Sequence, residues 1–271
     1  MSSTRSSFTT PVERLATFFS RSIPREKFQD HEIEEVALLL ERRGHVAYKC
    51  PRTYIILRTI GHLDPLDRLL SVGFSDGWFP VKAHNLPSFL SPPIKELIVN
   101  CQNIIETRSL ELFNGKHCTV SSGESLPFEE LARIGSGNWG EVHKIQSKID
   151  FKQYALKRTQ RRAWGGQANE EVHQILAEMK NLKSLQHLHV VRYIGSYATR
   201  MQLGVIMWPI ADKDLARYMQ EASTSEDLRP TLQGFFGYLA TSLSYLHANN
   251  VKHRDIKPQE HTSTPEQRVD N

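Results

Sequence analysis

Residues 133–142 read RIGSGNWGEV, and the fold turns on how this stretch is read. Glycines stand at 135, 137 and 140, between two runs of strand-like composition, FEELARIG (128–135) and GEVHKIQSKI (140–149). Without Cβ atoms at these positions, a loop can fold its backbone N–H groups down onto phosphate oxygens. Taken alone, the pattern fits a plain hairpin turn equally well. It leads into a strand rather than a helix, which separates it from the dinucleotide-binding glycine loop. Ile134 and Val142 flank the loop and suit an apolar purine face, and Trp139 at its tip can keep water out.

Outward from the loop, the chain adds polar groups in a definite order. YALK (154–157) places Lys157 seventeen residues beyond the third glycine, with small Ala155 two residues before it. A lysine presents a compact cation suited to phosphate oxygens, although a lone lysine in a strand is ordinarily a solvated one. Residues 169–191, NEEVHQILAEMKNLKSLQHLHVV, space Ile175, Met179, Leu182 and Leu185 as on one helix face, with Glu178 on the same helix. A carboxylate there can hold the Lys157 ammonium over the phosphates. That attraction grows where water is excluded, from ~1 kcal/mol in water to ~4 at intermediate dielectric. HRDIKPQ (253–259) comes last.

GSGNWGEV, YALK, EMKNLKSLQHLHVV and HRDIKPQ together resemble the motif series of the eukaryotic protein kinases, of the serine/threonine type, from Phe128 to Gln259. The resemblance implies an α+β fold, with a small lobe of antiparallel sheet plus one helix and a partial large lobe. It implies an ATP site: Ile134, Gly135, Ser136, Gly137, Asn138, Trp139, Gly140, Glu141 and Val142 cover the phosphates, and Lys157 contacts them with Glu178 as its partner. Ala155 lies beside the adenine, Met207 is the gatekeeper, and Trp208, Pro209 and Ile210 form the hinge, where proline removes one N–H donor. Asp255 takes the catalytic aspartate's place, Lys257 the residue that steadies the transferring phosphoryl group, and His253 and Arg254 the structural members of that loop. The sequence departs from the pattern at Glu260, where the family has a magnesium-binding Asn, and HTSTPEQRVDN (261–271) contains no Asp-Phe-Gly. The expectation is therefore a chain broken off within the catalytic loop. It should bind ATP, with Mg²⁺ used only in a complete version, and carry little or no transfer of the γ-phosphoryl group to protein Ser or Thr. A non-catalytic interaction or regulatory protein is the rival reading, and a fragment without a function of its own is a second.

Composition sets the remaining bounds. The 271 residues are 39% hydrophobic and 24% charged, with a net charge of +4 spread along the chain. This balance suits a soluble globular protein and gives no nucleic-acid patch. Three distant cysteines, Cys50, Cys101 and Cys118, fit reduced thiols in a cytoplasmic or nuclear protein, and no apolar run is long enough to span a membrane. Residues 1–29 read as a flexible tail and 30–112 as a helical module. Residues 113–126 read as a turn-rich linker and 127–271 as the incomplete kinase-like domain. In the helical module, Gly44, Gly61 and Gly73 are expected to close helices, Asp64 and Pro65 to open one, and 91–112 to form one continuous helix. That last helix should carry a stripe of Ile94, Leu97, Ile98, Cys101, Ile104 and Ile105. Another stripe, Leu232, Phe236, Leu239, Leu243 and Leu246, is expected on a helix over 232–250.

Overall fold

Thr10 caps the first helix, α1 (Pro11–Thr17): its hydroxyl accepts from the Glu13 N–H, and the Glu13 carboxylate accepts from the Thr10 N–H. This computed structural model describes residues 10–20, 26–121, 124–137, 140–160, 182–254, 256–258 and 261–262. By contacts the chain divides into two compact units, Met1–Phe113 with Ser147–Phe151, and Asn114–Gln146 with Lys152–Asn271.

The first unit is helical. After α1 come α2 (Asp30–Arg42), α3 (Pro51–Thr59), α4 (Leu66–Ser71), α5 (Pro92–Cys101) and α6 (Arg108–Phe113), joined by short 3₁₀ turns. α2 turns Ile33, Val36, Leu39 and Leu40 inward, and Gly44 follows it in the left-handed region at φ +66. Gly61 and Gly73 follow α3 and α4 in the same way. Pro65 stands at the N-cap of α4 rather than at its first helical position. α3 is buried from Pro51 to Leu57, so it runs through the middle of this unit, and the other helices pack around it. Ile149, from the segment Ser147–Phe151, belongs to the same core.

The helix expected over 91–112 is broken. α5 ends at Cys101, a 3₁₀ turn covers Gln102–Ile105, Glu106 is extended, and α6 begins at Arg108. Ile98, Ile104 and Ile105 are buried as expected, but Leu97 is exposed. A polar cluster explains the break. The Thr107 hydroxyl donates to Asp30 at 2.5 Å, the Ser109 N–H donates to the same carboxylate at 3.3 Å, and Arg52 donates to both Asp30 and Thr107 at 3.0 Å. These bonds reach 22 to 79 residues along the chain, beyond any local periodicity. Beside this cluster, fully buried Asp76 accepts from the Arg52 N–H (2.7 Å), the Thr53 N–H (2.9 Å) and the Thr53 hydroxyl (2.8 Å), and so caps α3 from outside that helix. Burial pushes the Asp76 carboxyl up and the Arg52 guanidinium down, and each charge partly offsets the shift of the other.

In the second unit a six-stranded sheet runs in the order β1-β5-β6-β4-β3-β2. Its strands are β1 (His117–Thr119), β2 (Phe128–Gly137), β3 (Gly140–Ser147), β4 (Gln153–Gln160), β5 (Arg192–Ala198) and β6 (Gln202–Trp208). β3–β4, β4–β6 and β5–β6 pair antiparallel. The stretch that reads as a turn-rich linker contributes the sixth strand: β1 pairs parallel with β5, His117 opposite Ser196. Three residues are too few to show strand periodicity, and the partner lies about 80 residues away. The helix expected over 169–185 falls outside the described residues apart from its last turn. Beyond the sheet, α7 (Leu215–Thr224) packs on α8 (Arg229–Ala248) through Tyr218, Ala222 and Phe235, with Leu215, Leu228 and Leu232 partly buried against them. α8 buries Phe235, Ser242 and Leu246, whereas Phe236 of the expected stripe is 66% exposed. Among the described residues, no helix is long and apolar enough to cross a membrane.

Candidate functional site

Strand register assembles the site. In β3–β4, Val142 stands opposite Lys157 and Lys144 opposite Ala155; in β4–β6, Lys157 faces Val205 and Ala155 faces Met207. Residues opposite one another, or two apart on one strand, share a face of the sheet. Val142, Ala155, Lys157 and Met207 therefore lie on one face, all of them half-buried. The same face carries an apolar cluster of Leu203 and Val205, with Tyr193, Ala198 and Met207 packed against it. Lys144 shares this face as well, and a surface of this kind, apolar with half-buried lysines beside the apolar patch, suits a flat apolar ring joined to an anion.

The glycine loop closes over the end of this face. β2 leads into it through Ile134, Gly135, Ser136 and Gly137, and β3 leaves it through Gly140, Glu141 and Val142; Asn138 and Trp139 lie outside the described residues. Gly140 sits at φ +114, and a Cβ there would stand 2.1 Å from the Arg158 carbonyl oxygen. Only glycine lets the returning chain sit this low on β4, one residue from Lys157. The third glycine of the motif thus has a local cause: close backbone approach.

β6 ends at Trp208, and Pro209 and Ile210 follow it. The Arg192 guanidinium carbon lies 4.6 Å from the centroid of the Trp208 ring, and Pro209 and Ile210 are buried. Glu178 and Asp255 lie outside the described residues, so their distances to Lys157 are not part of this geometry. Around position 255 the backbone is nonetheless informative. Arg254 holds φ +64, a strained value for a residue with a side chain, and His253, Arg254, Ile256 and Lys257 are exposed. The Pro258 carbonyl accepts from the Ala216 N–H at 2.5 Å, and β8 (His261–Thr262) pairs with β7 (Lys213–Asp214), so the chain returns to the start of α7. Among the described residues, no group of three or more His, Cys, Asp or Glu side chains could hold a metal ion.

On the opposite face of the sheet, a set of charged residues that the motifs do not reveal surrounds the stem of the glycine loop. Arg158 of β4 donates through both terminal nitrogens to Glu130 of β2, Nη1 to Oε2 at 3.3 Å and Nη2 to Oε1. His143 of β3 places Nδ1 3.3 Å from Glu130 and Nε2 3.2 Å from Glu141, and Arg133 lies 3.3 Å from Glu141. Arg158 holds the Glu130 carboxyl below the usual carboxylate range. Tyr197 of β5, fully buried with its ring where a Cβ of Gly204 would go, has its phenol pushed up by burial, and Arg158 opposes that shift. The sequence clue to this cluster is weak: Arg158 follows Lys157, so in a strand its side chain must leave by the other face.

A family model for the protein kinase domain matches residues 128–260. The serine/threonine-protein kinase fused of Drosophila melanogaster is 34% identical over 128 residues, 46% of this chain and 15% of that protein. The interferon-induced, double-stranded RNA-activated protein kinase of Rattus norvegicus is 29% identical over 161 residues, 52% of this chain and 29% of its own length. Its counterpart in Mus musculus is 29% identical over 152 residues, 52% of this chain and 28% of its own. The chain thus spans less than a third of the length of these relatives.

Proposed function

Through residues 128–260 the chain belongs to the eukaryotic protein kinase family as a partial domain, and from that premise we propose that this region binds ATP on the face that carries Lys157. The observation that carries the reading is the pairing of a glycine loop, seated on β4 at Gly140, with a face on which Lys157 stands between Val142 and Val205. Val142, Ala155 and Met207 would receive the adenine ring from one side, with Ile134 at the loop's shoulder. Backbone N–H groups of Gly135–Gly137 and Gly140 would meet the phosphates, and Lys157 would offset their charge. Glu178 would steady Lys157, and the backbone from Trp208 to Ile210 would bond the edge of the base. When bound, ATP supplies the γ-phosphoryl group that such enzymes transfer to a Ser or Thr hydroxyl. In that reaction Asp255 would accept the hydroxyl proton and Lys257 would steady the moving group.

Glu260 favours a second reading, in which nucleotide is bound but scarcely turned over and the region serves regulation or interaction. The family's magnesium-binding position holds a carboxylate here rather than an amide. One experiment tests both readings. Thermal unfolding is followed against ATP, with and without Mg²⁺, for the natural chain and for Lys157→Met. We expect stabilisation by millimolar ATP that Lys157→Met abolishes and that changes little with the metal. A folded protein that ATP does not stabilise would refute the nucleotide reading. Stabilisation that requires Mg²⁺ would favour the catalytic reading over the regulatory one.

A further inference from the structure

Two strands that are not neighbours are joined across the back of the sheet. β2 and β4 lie on either side of β3, yet the Glu130 carboxylate of β2 meets the Arg158 guanidinium of β4 over β3, through both terminal nitrogens. A two-point contact between a planar fork and a carboxylate fixes orientation as well as distance. The Arg158 side chain is 17% exposed and that of Glu130 is 42% exposed. His143, on the strand that the pair crosses, also contacts Glu130, and its second nitrogen faces Glu141, which Arg133 of β2 holds in turn.

What this arrangement fixes is the hairpin β2–β3, whose turn is the glycine loop. The loop's last glycine already rests against the Arg158 carbonyl, while Arg158 itself adjoins Lys157. One residue therefore touches the loop with its backbone, anchors the loop's incoming strand with its side chain, and neighbours the lysine on the other face. We propose that Glu130 and Arg158 are positioning residues for the nucleotide: their pair sets the height of the glycine loop above Lys157, and with it the grip on the phosphates. The assignment rests on the ATP reading above. Neither side chain touches nucleotide in it, because both leave from the opposite face.

The test compares ATP affinity, by titration calorimetry without metal, in the natural chain, Glu130→Gln, Arg158→Gln and Arg158→Lys. Amide exchange and unfolding midpoints are measured on the same samples. The Gln variants should weaken ATP by about fivefold, the size of a well-formed and partly exposed ion pair, and Arg158→Lys should recover part of that loss by restoring the charge without the fork. Exchange should quicken at 135–137 and 140–142 and stay unchanged in β6. Gln variants that bind ATP as tightly as the natural chain would overturn the proposal. So would weakening that tracks a lowered midpoint, with exchange raised across the whole sheet. If the natural chain binds no ATP, the nucleotide reading fails by itself. Exchange then still decides the clamp: quickening confined to the hairpin in Glu130→Gln supports it, and unchanged hairpin exchange removes it.

Discussion

At Gly140 the backbone conformation and the space available impose the same demand. A methyl group there meets the Arg158 carbonyl oxygen at 2.1 Å, and the left-handed φ of +114 adds strain for any side chain. Gly140→Ala should therefore lower stability by about 2 kcal/mol or more and weaken ATP together with it, which denaturant unfolding and titration would both register. Glu130 gives a prediction in pH. Its carboxyl is lowered in the folded protein, first by the hydrogen bond from Arg158, so the folded state binds this proton less readily than the unfolded chain does. The contribution to stability is thus present above the unfolded carboxylate range and is lost as pH falls through the lowered folded value. Glu130→Gln should flatten that acid limb of the unfolding midpoint, and an unchanged limb would show that solvent screens the pair completely. A third position is chemically quiet. Burial, helped by the charge of Asp76, pushes the Cys50 thiol up to about 12, which leaves little thiolate to react at neutral pH.

Single elements show what the sequence could and could not convey. Gly44, Gly61 and Gly73 were readable as helix ends because each acts on its own turn, and all three hold positive φ. The lysine strand and the glycine hairpin were readable for the same reason: their pattern is local. The break between α5 and α6 was not, since its cause is Asp30, more than seventy residues away, holding Thr107 and Ser109. Nor was Glu130–Arg158, which depends on strand order rather than on spacing. Asp76 belongs with these distant determinants. It accepts from two N–H groups at the start of α3 and from the Thr53 hydroxyl, in full burial. Asp76→Ala would leave those donors without a partner and Arg52 with Asp30 as its remaining close carboxylate. A loss of about 3 kcal/mol or more is expected for the helical unit, read as a shift of the urea midpoint. A change below 1 kcal/mol would mean that water replaces the carboxylate.

For the whole molecule the critical surface is on α8. Phe236 is 66% exposed, Tyr238 37% and, on neighbouring α7, Met219 41%. A fully buried side chain of this size is worth roughly 1.5–3 kcal/mol, so leaving Phe236 in water favours association between molecules. Phe236→Ser should reduce concentration-dependent self-association in sedimentation without lowering the unfolding midpoint, because the buried side of α8 runs through Phe235, Ser242 and Leu246. Equal association by both proteins would place the sticky surface elsewhere.

The small strand β1 bears on where this protein can be cut. Similarity to the protein kinase domain starts at residue 128, but the unit that holds the sheet starts at Asn114, and His117–Thr119 covers the edge of β5. A version begun at the homology boundary would bare that edge, with the Ile194 and Ala198 carbonyls and the Ser196 N–H open to pairing with any extended chain. A shortened version that keeps this edge covered therefore has to begin ahead of His117, well before the family likeness starts.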